Sequence, residues 1–243
     1  PGNGLIIRHA EDQNLQDVLT QGCWSKQQTF AGKTGDWQAK LVQADGSVFE
    51  VFFNNQSQGQ VQWDLLGQHN VANALAAMAA AHHAGVSPEQ AITALRSFKN
   101  VKRRLEIRGK INGITIYDDF AHHPTAIATT LAGLRSKVKQ ARIVVVLEFG
   151  SYTMRSGVHK DAIKQALCDA DRVVCKKPDQ ASWDLAEVLK TFSQPTALYE
   201  DVDTLVKNLV PTLTSGDHVV IMSNGGFGGI HQKLLNAMAV GVI

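Results

Sequence analysis

The chain has 243 residues, 44% hydrophobic and 19% charged, with a formal net charge of +2. That is ordinary globular composition, enough for one large or two small cores. The near-neutral balance argues against nucleic acid or an anionic membrane as the main partner, and no apolar run is long enough to insert into a bilayer.

In chain order, residues 5–7 read as a short strand, and residues 21–66 keep a strand-like alternation with an Asp45-Gly46 hairpin signal. The alanine-rich stretch HNVANALAAMAAAHHAGV predicts a helix beginning near Asn70 and stopped at Gly85. SPEQAITALRSF predicts a second helix, with Ser87 as cap, Pro88 in the first helical position and Gln90 completing a capping box. Beyond Arg104 the rhythm becomes strand–helix–strand. GITIYDDF, the continuous apolar run RIVVVLEF, DRVVC, TALYE and DHVVIMS are strands. PTAIATTLAGLR, KDAIKQALCDA, SWDLAEVLKTF, DVDTLVKNLVPTL (bent or ended by Pro211) and IHQKLLNAM are the helices between and after them. The fold class is therefore α/β, ending in a Rossmann-like domain with a mainly parallel sheet. The division falls at 101/102, giving domains 1–101 and 102–243.

Cys23, Cys168 and Cys175 are few, odd in number and not spaced as CxxC. They predict reduced, buried thiols in a cytoplasmic protein. No signal peptide is visible, and the chain opens on Pro1 rather than Met, so the expectation is a piece of a longer polypeptide.

FAGKTG, residues 30–35, contains the tail of a phosphate loop. The full pattern GxxxxGK[ST] wants Gly at position 27, where this chain has Gln27, and wants a helix to follow; here Gly35-Asp36-Trp37 leads into a strand. A hairpin turn is the expectation instead.

Four other segments carry chemistry. His69, Asn70 and Asn73 cluster on the first turn of the alanine-rich helix. An Asn carboxamide both donates and accepts, matching an adenine edge, but Asn is also a favoured N-cap. Arg103 and Arg104 offer planar forks for phosphate, or a solvated basic strand or hinge together with Lys102, Arg108 and Lys110. Tyr117-Asp118-Asp119-Phe120-Ala121-His122-His123 follows a strand end, where open α/β sheets bind ligands. Its readings are ribose binding, a metal site, or turn and cap roles. Ser223-Asn224-Gly225-Gly226-Phe227-Gly228-Gly229 departs from GxGxxG at His231, and reads as an anion nest or a tight turn.

Taken together, GQHNVANALAAMAAA and KRRLEIRG…ITIYDDFAHHPTAI resemble the Mur ligases, the ATP-dependent amide ligases of peptidoglycan synthesis. DDFAHHPT is most similar to members that recognise muramate. GDHVVIMSNGGFGGIHQKLL points to the branch joining UDP-N-acetylmuramate to the recycled tripeptide L-alanyl-γ-D-glutamyl-meso-diaminopimelate, in the service of cell-wall recycling. The resemblance implies that residues 1–101 are the tail of the central ATP-binding domain and 102–243 the whole C-terminal domain. The UDP-sugar domain, the phosphate loop and the Mg²⁺ ligands would lie in missing N-terminal domains of the same polypeptide, so this chain alone would not ligate. It further implies adenine contacts from His69, Asn70 and Asn73, phosphate or junction contacts from Arg104, and a ribose contact from Asp119. His122, Ser151, Thr153, Arg155, Asn224 and Gly225 are the implied substrate contacts. The implied chemistry is activation of the muramate carboxylate as an acyl phosphate by ATP, with Mg²⁺, followed by attack of the alanine amine. Where many members read EPRSNTM, this chain reads EFGSYTM, so Gly150 replaces an Arg whose role would pass to Arg155. The alternatives are the family's L-alanine-adding ligase and a non-catalytic nucleotide-binding module.

Overall fold

Two sheets account for the strand patterns, each with helices of its own. The computed structural model describes residues 3–240, which fall into two compact units, Pro1–Lys99 and Asn100–Ile243.

In the first unit β1 (Leu5–His9), β2 (Lys26–Phe30), β3 (Trp37–Leu41), β4 (Val48–Phe53) and β5 (Gln56–Gln62) pair in chain order. β1, β2 and β3 run parallel, and β3, β4 and β5 form an antiparallel meander. The Asp45-Gly46 turn joins β3 to β4 as expected, with Gly46 at φ 80°, a conformation that suits glycine. The segment around Lys33 is not a hairpin turn, because β2 and β3 run in the same sense and share one register pair, Phe30 with Trp37. Its backbone turns at Ala31 and Gly32, both left-handed, and no helix follows, so phosphate-loop geometry is absent there. The nest is already filled, since the Glu11 carboxylate accepts a hydrogen bond from Lys33 N at 3.0 Å.

Helix α1 (Gln13–Thr20), capped by Asp12, was not expected; Leu15, Val18 and Leu19 recur at helical spacing, but the helix is short and buries no side chain. Helices α2 (Gln68–His83) and α3 (Pro88–Arg96) cover the sheet and bring Val71, Leu75, Met78 and Ile92 onto Trp37, Phe49, Val51, Val61 and Trp63. Each such buried side chain contributes about 1.5–3 kcal/mol. The capping box of Ser87 and Gln90 is present, and Gly85 ends α2 at φ 93°.

The second unit is a six-stranded sheet. β6 (Glu106–Ile111) is an antiparallel edge strand on β7 (Ile114–Asp119); the basic run therefore opens onto a hairpin arm that the alternation did not announce. β8 (Ile143–Glu148), β9 (Arg172–Lys176), β10 (Thr196–Tyr199) and β11 (His218–Met222) are parallel to β7, in the order β10-β9-β8-β11-β7-β6. The chain goes from β7 to β8, moves outward to β9 and β10, then returns to place β11 between β7 and β8. Right-handed crossovers put helices made on the outward journey on one face and those made on the return on the other. The first set is α4 (Pro124–Val138), the short α5 (Tyr152–Arg155), α6 (Lys160–Ala166) and α7 (Leu185–Lys190). The second is α8 (Val202–Leu209), followed after β11 by α9 (Ile230–Val240). α8 and α9 supply Leu205, Val206, Leu209, Ile230 and Leu234 to a core with Ile116, Val144, Val146, Val174, Val219 and Ile221. Pro211 lies in a 3-10 turn that ends α8.

The thiols depart from expectation. Cys175 is fully buried, and burial pushes it up to about 12, but Cys168 is exposed and Cys23 half-buried.

Candidate functional site

The first cluster sits on α2. The helix begins at Gln68, two residues before the expected start, and Gly67 occupies the cap position at φ 90° with no side-chain cap. Asn70 is therefore not an N-cap; its Nδ2 donates to Leu66 O at 2.7 Å and pins the entering turn. Asn73 is exposed, and its carboxamide makes no hydrogen bond within the protein. His69 and Asn73 are separated by one helical turn, and Asn70 and Asn73 by three residues, so the three share one flank.

The second group lies where β7 meets its loop. In β7, consecutive side chains take opposite faces, and the two aspartates are used differently. Asp118, 4% exposed, faces Arg103 Nε at 3.4 Å and His231 Nε2 at 3.2 Å through one oxygen. Asp119, 2% exposed, accepts Leu105 N on Oδ2 and Ala121 N on Oδ1, both at 2.7 Å. Burial raises the Asp119 pKa, opposed by those two backbone donors and by Arg104. Arg103 turns inward: its NH2 donates to Ser223 O at 2.6 Å and Gly225 O at 2.9 Å. Arg104 remains exposed, its guanidinium 5.9 Å from the Phe120 ring, against 5.2 Å for Arg103. The two adjacent arginines thus divide into an internal brace and an exposed cation beside Phe120. His122 Nδ1 lies 2.9 Å from Phe120 O. A carbonyl can only accept, so Nδ1 carries the proton and Nε2 is left as the basic nitrogen. His123 instead caps α4, accepting Thr125 N on Nδ1 at 3.3 Å, and its ring meets His159 at 4.3 Å. Among the described residues, no group of His, Cys, Asp and Glu side chains is arranged to hold a metal ion.

β7, β11 and β8 are neighbours, so the loops after Asp119, Met222 and Glu148 leave from one sheet edge. Ser223, 1% exposed, donates to Glu148 Oε2 at 2.6 Å and accepts Gly225 N at 2.9 Å. Asn224 is half-buried and Gly225 exposed. A Cβ on Gly150 would stand 2.6 Å from Asn224 Oδ1, so a side chain there would displace that carboxamide. Ser151 caps α5, accepting Met154 N at 3.3 Å, with Thr153 Oγ1 3.4 Å away. Arg155 Nε is buried without a hydrogen-bond partner. The Gly-rich loop is anchored by Phe227, buried in the core at φ 44°; with Gly228 and Gly229 it makes three left-handed residues in succession. Burial lowers the His231 pKa more than Asp118 raises it.

Sequence reasoning missed Arg103 as the brace, and also Glu148 and His231 as partners, and it marked Ser223 only as part of the Gly-rich segment. Glu148 carried a signal, a charge closing an otherwise apolar buried run. A cavity of about 800 Å³ at the ends of β9 and β10, lined by Lys177, Trp183, Asp184 and Glu200 among others, had none.

Comparison with known proteins places these sites in context. The model of the Mur ligase middle domain matches residues 3–81, and that of the Mur ligase glutamate ligase domain matches residues 103–225. The Escherichia coli UDP-N-acetylmuramate–L-alanyl-γ-D-glutamyl-meso-2,6-diaminoheptanedioate ligase is 50% identical over 240 residues, covering 98% of this chain and 52% of the relative. The Haemophilus influenzae protein of the same name is 48% identical, with the same coverage of 98% and 52%. The crystal structure of a murein peptide ligase from Psychrobacter arcticus aligns with a TM-score of 0.74 at 40% identity, covering 100% of this chain and 52% of that one. The chain thus spans about half the length of the curated relatives it matches.

Proposed function

The chain belongs to the Mur ligase family, and on that premise we propose that it is the C-terminal part of an ATP-dependent ligase of peptidoglycan recycling. The substrates would be UDP-N-acetylmuramate and L-alanyl-γ-D-glutamyl-meso-diaminopimelate, in the cytoplasm. The observation that carries this reading is 50% identity along 98% of the chain to a relative named for that reaction.

ATP is a substrate of the proposed reaction and would supply the phosphoryl group that activates the muramate carboxylate. The donor set fits the nucleotide in part. Asn73 presents an unoccupied amide with both a donor and an acceptor, as an adenine edge requires. His69 and Asn70 flank it. Arg104 is an exposed fork suited to phosphate. Asp119 is the weakest member, because each oxygen already accepts a backbone N–H. Each retains one acceptor position for a ribose hydroxyl. His122 Nε2, Ser151, Thr153, Arg155, Asn224 and Gly225 keep their assignment toward the muramate and peptide; the buried, unpartnered Nε of Arg155 supports an anionic contact there. Mg²⁺ would be held by residues outside this chain, as would the phosphate loop, so this half alone is not competent.

The test is an assay of the full-length protein with ATP and UDP-N-acetylmuramate, following phosphate release with free tripeptide and with free L-alanine. Turnover with the tripeptide and little with alanine is expected. The reverse preference would assign the L-alanine-adding reaction, and release with neither would leave a nucleotide-binding module.

A further inference from the structure

We infer that Gly46 and Trp63 form a backbone latch that sets the position of the adenine-reading turn of α2, and so act as positioning residues for nucleotide selection; this rests on the adenine reading above. The helix lacks a side-chain cap, and what fixes its start is the β3–β4 turn. Gly67 N donates to Asp45 O at 2.7 Å, and Trp63 Nε1 donates to Gly46 O at 3.0 Å. A Cβ on Gly46 would stand 3.2–3.3 Å from the carbonyl, carbon and nitrogen atoms of Gly67. That is backbone against backbone, with no flexible side chain to yield. Gly46 also sits at φ 80°, where alanine is strained. Both glycines are buried.

The turn is itself stiffened. Asp45 Oδ1 accepts Ser47 N at 2.9 Å and Ser47 Oγ at 2.6 Å, and the Trp63 ring packs edge-on against Phe49, with ring centres 5.4 Å apart. From Gly67 the path to the polar flank is two residues. Gly67 O accepts Asn70 N at 3.1 Å and Val71 N at 3.4 Å, and Asn70 Nδ2 ties back to Leu66 O. Any outward shift of Gly67 therefore carries His69, Asn70 and Asn73 with it. A hydrogen bond to a base edge tolerates only tenths of an ångström, so the latch governs which base is preferred more than whether the protein folds.

The experiment measures binding of non-hydrolysable ATP and GTP analogues to the full-length protein by calorimetry, with amide hydrogen exchange over residues 67–74. Gly46→Ala is expected to lower the adenine-over-guanine ratio by about 10-fold, the scale of one lost hydrogen bond, and to speed exchange at Asn70 and Val71. Trp63→Phe keeps the ring, removes the Nε1 donor, and is expected to lower the ratio about 3-fold; it carries the test should Gly46→Ala fail to fold. Asn73→Ala serves as the reference. If it collapses the ratio while folded Gly46→Ala and Trp63→Phe keep the parent value, the latch is refuted and the adenine reading stands. If Asn73→Ala itself leaves the ratio unchanged, the adenine reading falls and the latch with it.

Discussion

At the start of α2, the Asn73 side chain is exposed and its carboxamide hydrogen-bonds nothing within the protein, whereas at the end of β7 Asp118 and Asp119 are 4% and 2% exposed and both carboxylates are engaged. In the first unit backbone hydrogen bonds from Gly67 to Asp45 and the Asn70 carboxamide on Leu66 O hold the start of the helix, and the Asn73 carboxamide is left without a partner in the protein. In the second, polar side chains do the positioning: Arg103 and Asp118 tie β7 to the 223–225 loop, and Asp119 holds the turns on either side of it. A motif rich in ionisable residues is therefore not automatically the part that touches ligand. Burial and saturation of its hydrogen bonds distinguish a brace from a contact.

The widest gap between the two regions should appear in stability. Asp118→Ala takes the carboxylate away from His231 and from Arg103, whose side chain is 30% exposed, and losing this half-buried contact costs about 2 kcal/mol. Asn73→Ala, a surface change, should fall within about 0.5 kcal/mol of the parent. Urea unfolding followed at Trp183, whose Nε1 is bonded to Met154 O at 2.9 Å in the second unit, gives the first value; circular dichroism gives the second. Equal losses in the two variants would erase the distinction between brace and contact.

The architecture of the second unit was legible because its parallel strands are buried on both faces. Continuous apolar runs such as residues 143–147 announce themselves, and the capping box at Ser87 and the stop at Gly85 are local chemistry with short reach. What escaped was set by distance. The sense of β2 against β3 depends on pairing rather than on the turn residues, so 30–35 read as a hairpin. α1 is short and buries no side chain, so its apolar residues at helical spacing, Leu15, Val18 and Leu19, make too brief a run to stand out. β6 is an edge strand whose alternation is obscured by its bulge near Gly109, where a Cβ would meet Leu235 at 2.7 Å. The same holds at the site. Clusters in the sequence marked the segments, yet nothing in Arg103-Arg104 or Asp118-Asp119 says which of two identical neighbours turns inward, because that depends on Ser223, Gly225 and His231 more than a hundred residues away.

A ligand measurement sharpens the comparison from the other side. Asn73→Ala in the full-length protein should raise the Michaelis constant for ATP about 10-fold with kcat little changed, as expected for lost uniform binding. A proportional fall in kcat at constant Michaelis constant would mean that Asn73 acts in the transition state, and would remove it from the adenine contacts.

The smallest expected effect concerns pH. The His123 pKa is lowered by burial first, then by the neighbouring His159 and His122. The neutral ring is also the form that can accept Thr125 N at the start of α4, and a proton there would oppose the helix dipole. A folded-state pKa below the unfolded value means that the unfolded chain binds the proton more readily. The stabilisation is therefore complete above pH ~6.5, the ordinary histidine value, and is lost as pH falls from there through the folded pKa. His218 and His231, also lowered by burial, act in the same sense, so His123 accounts for only a share of the slope. Replacing it by an N-cap that does not titrate, His123→Asn, should reduce the drop in melting temperature between pH 7.5 and 5.5 while leaving the value at 7.5 nearly unchanged. An unchanged drop would mean that the cap is held by the ring in either protonation state, and the acid sensitivity would then belong to His218 and the Asp118–His231 contact.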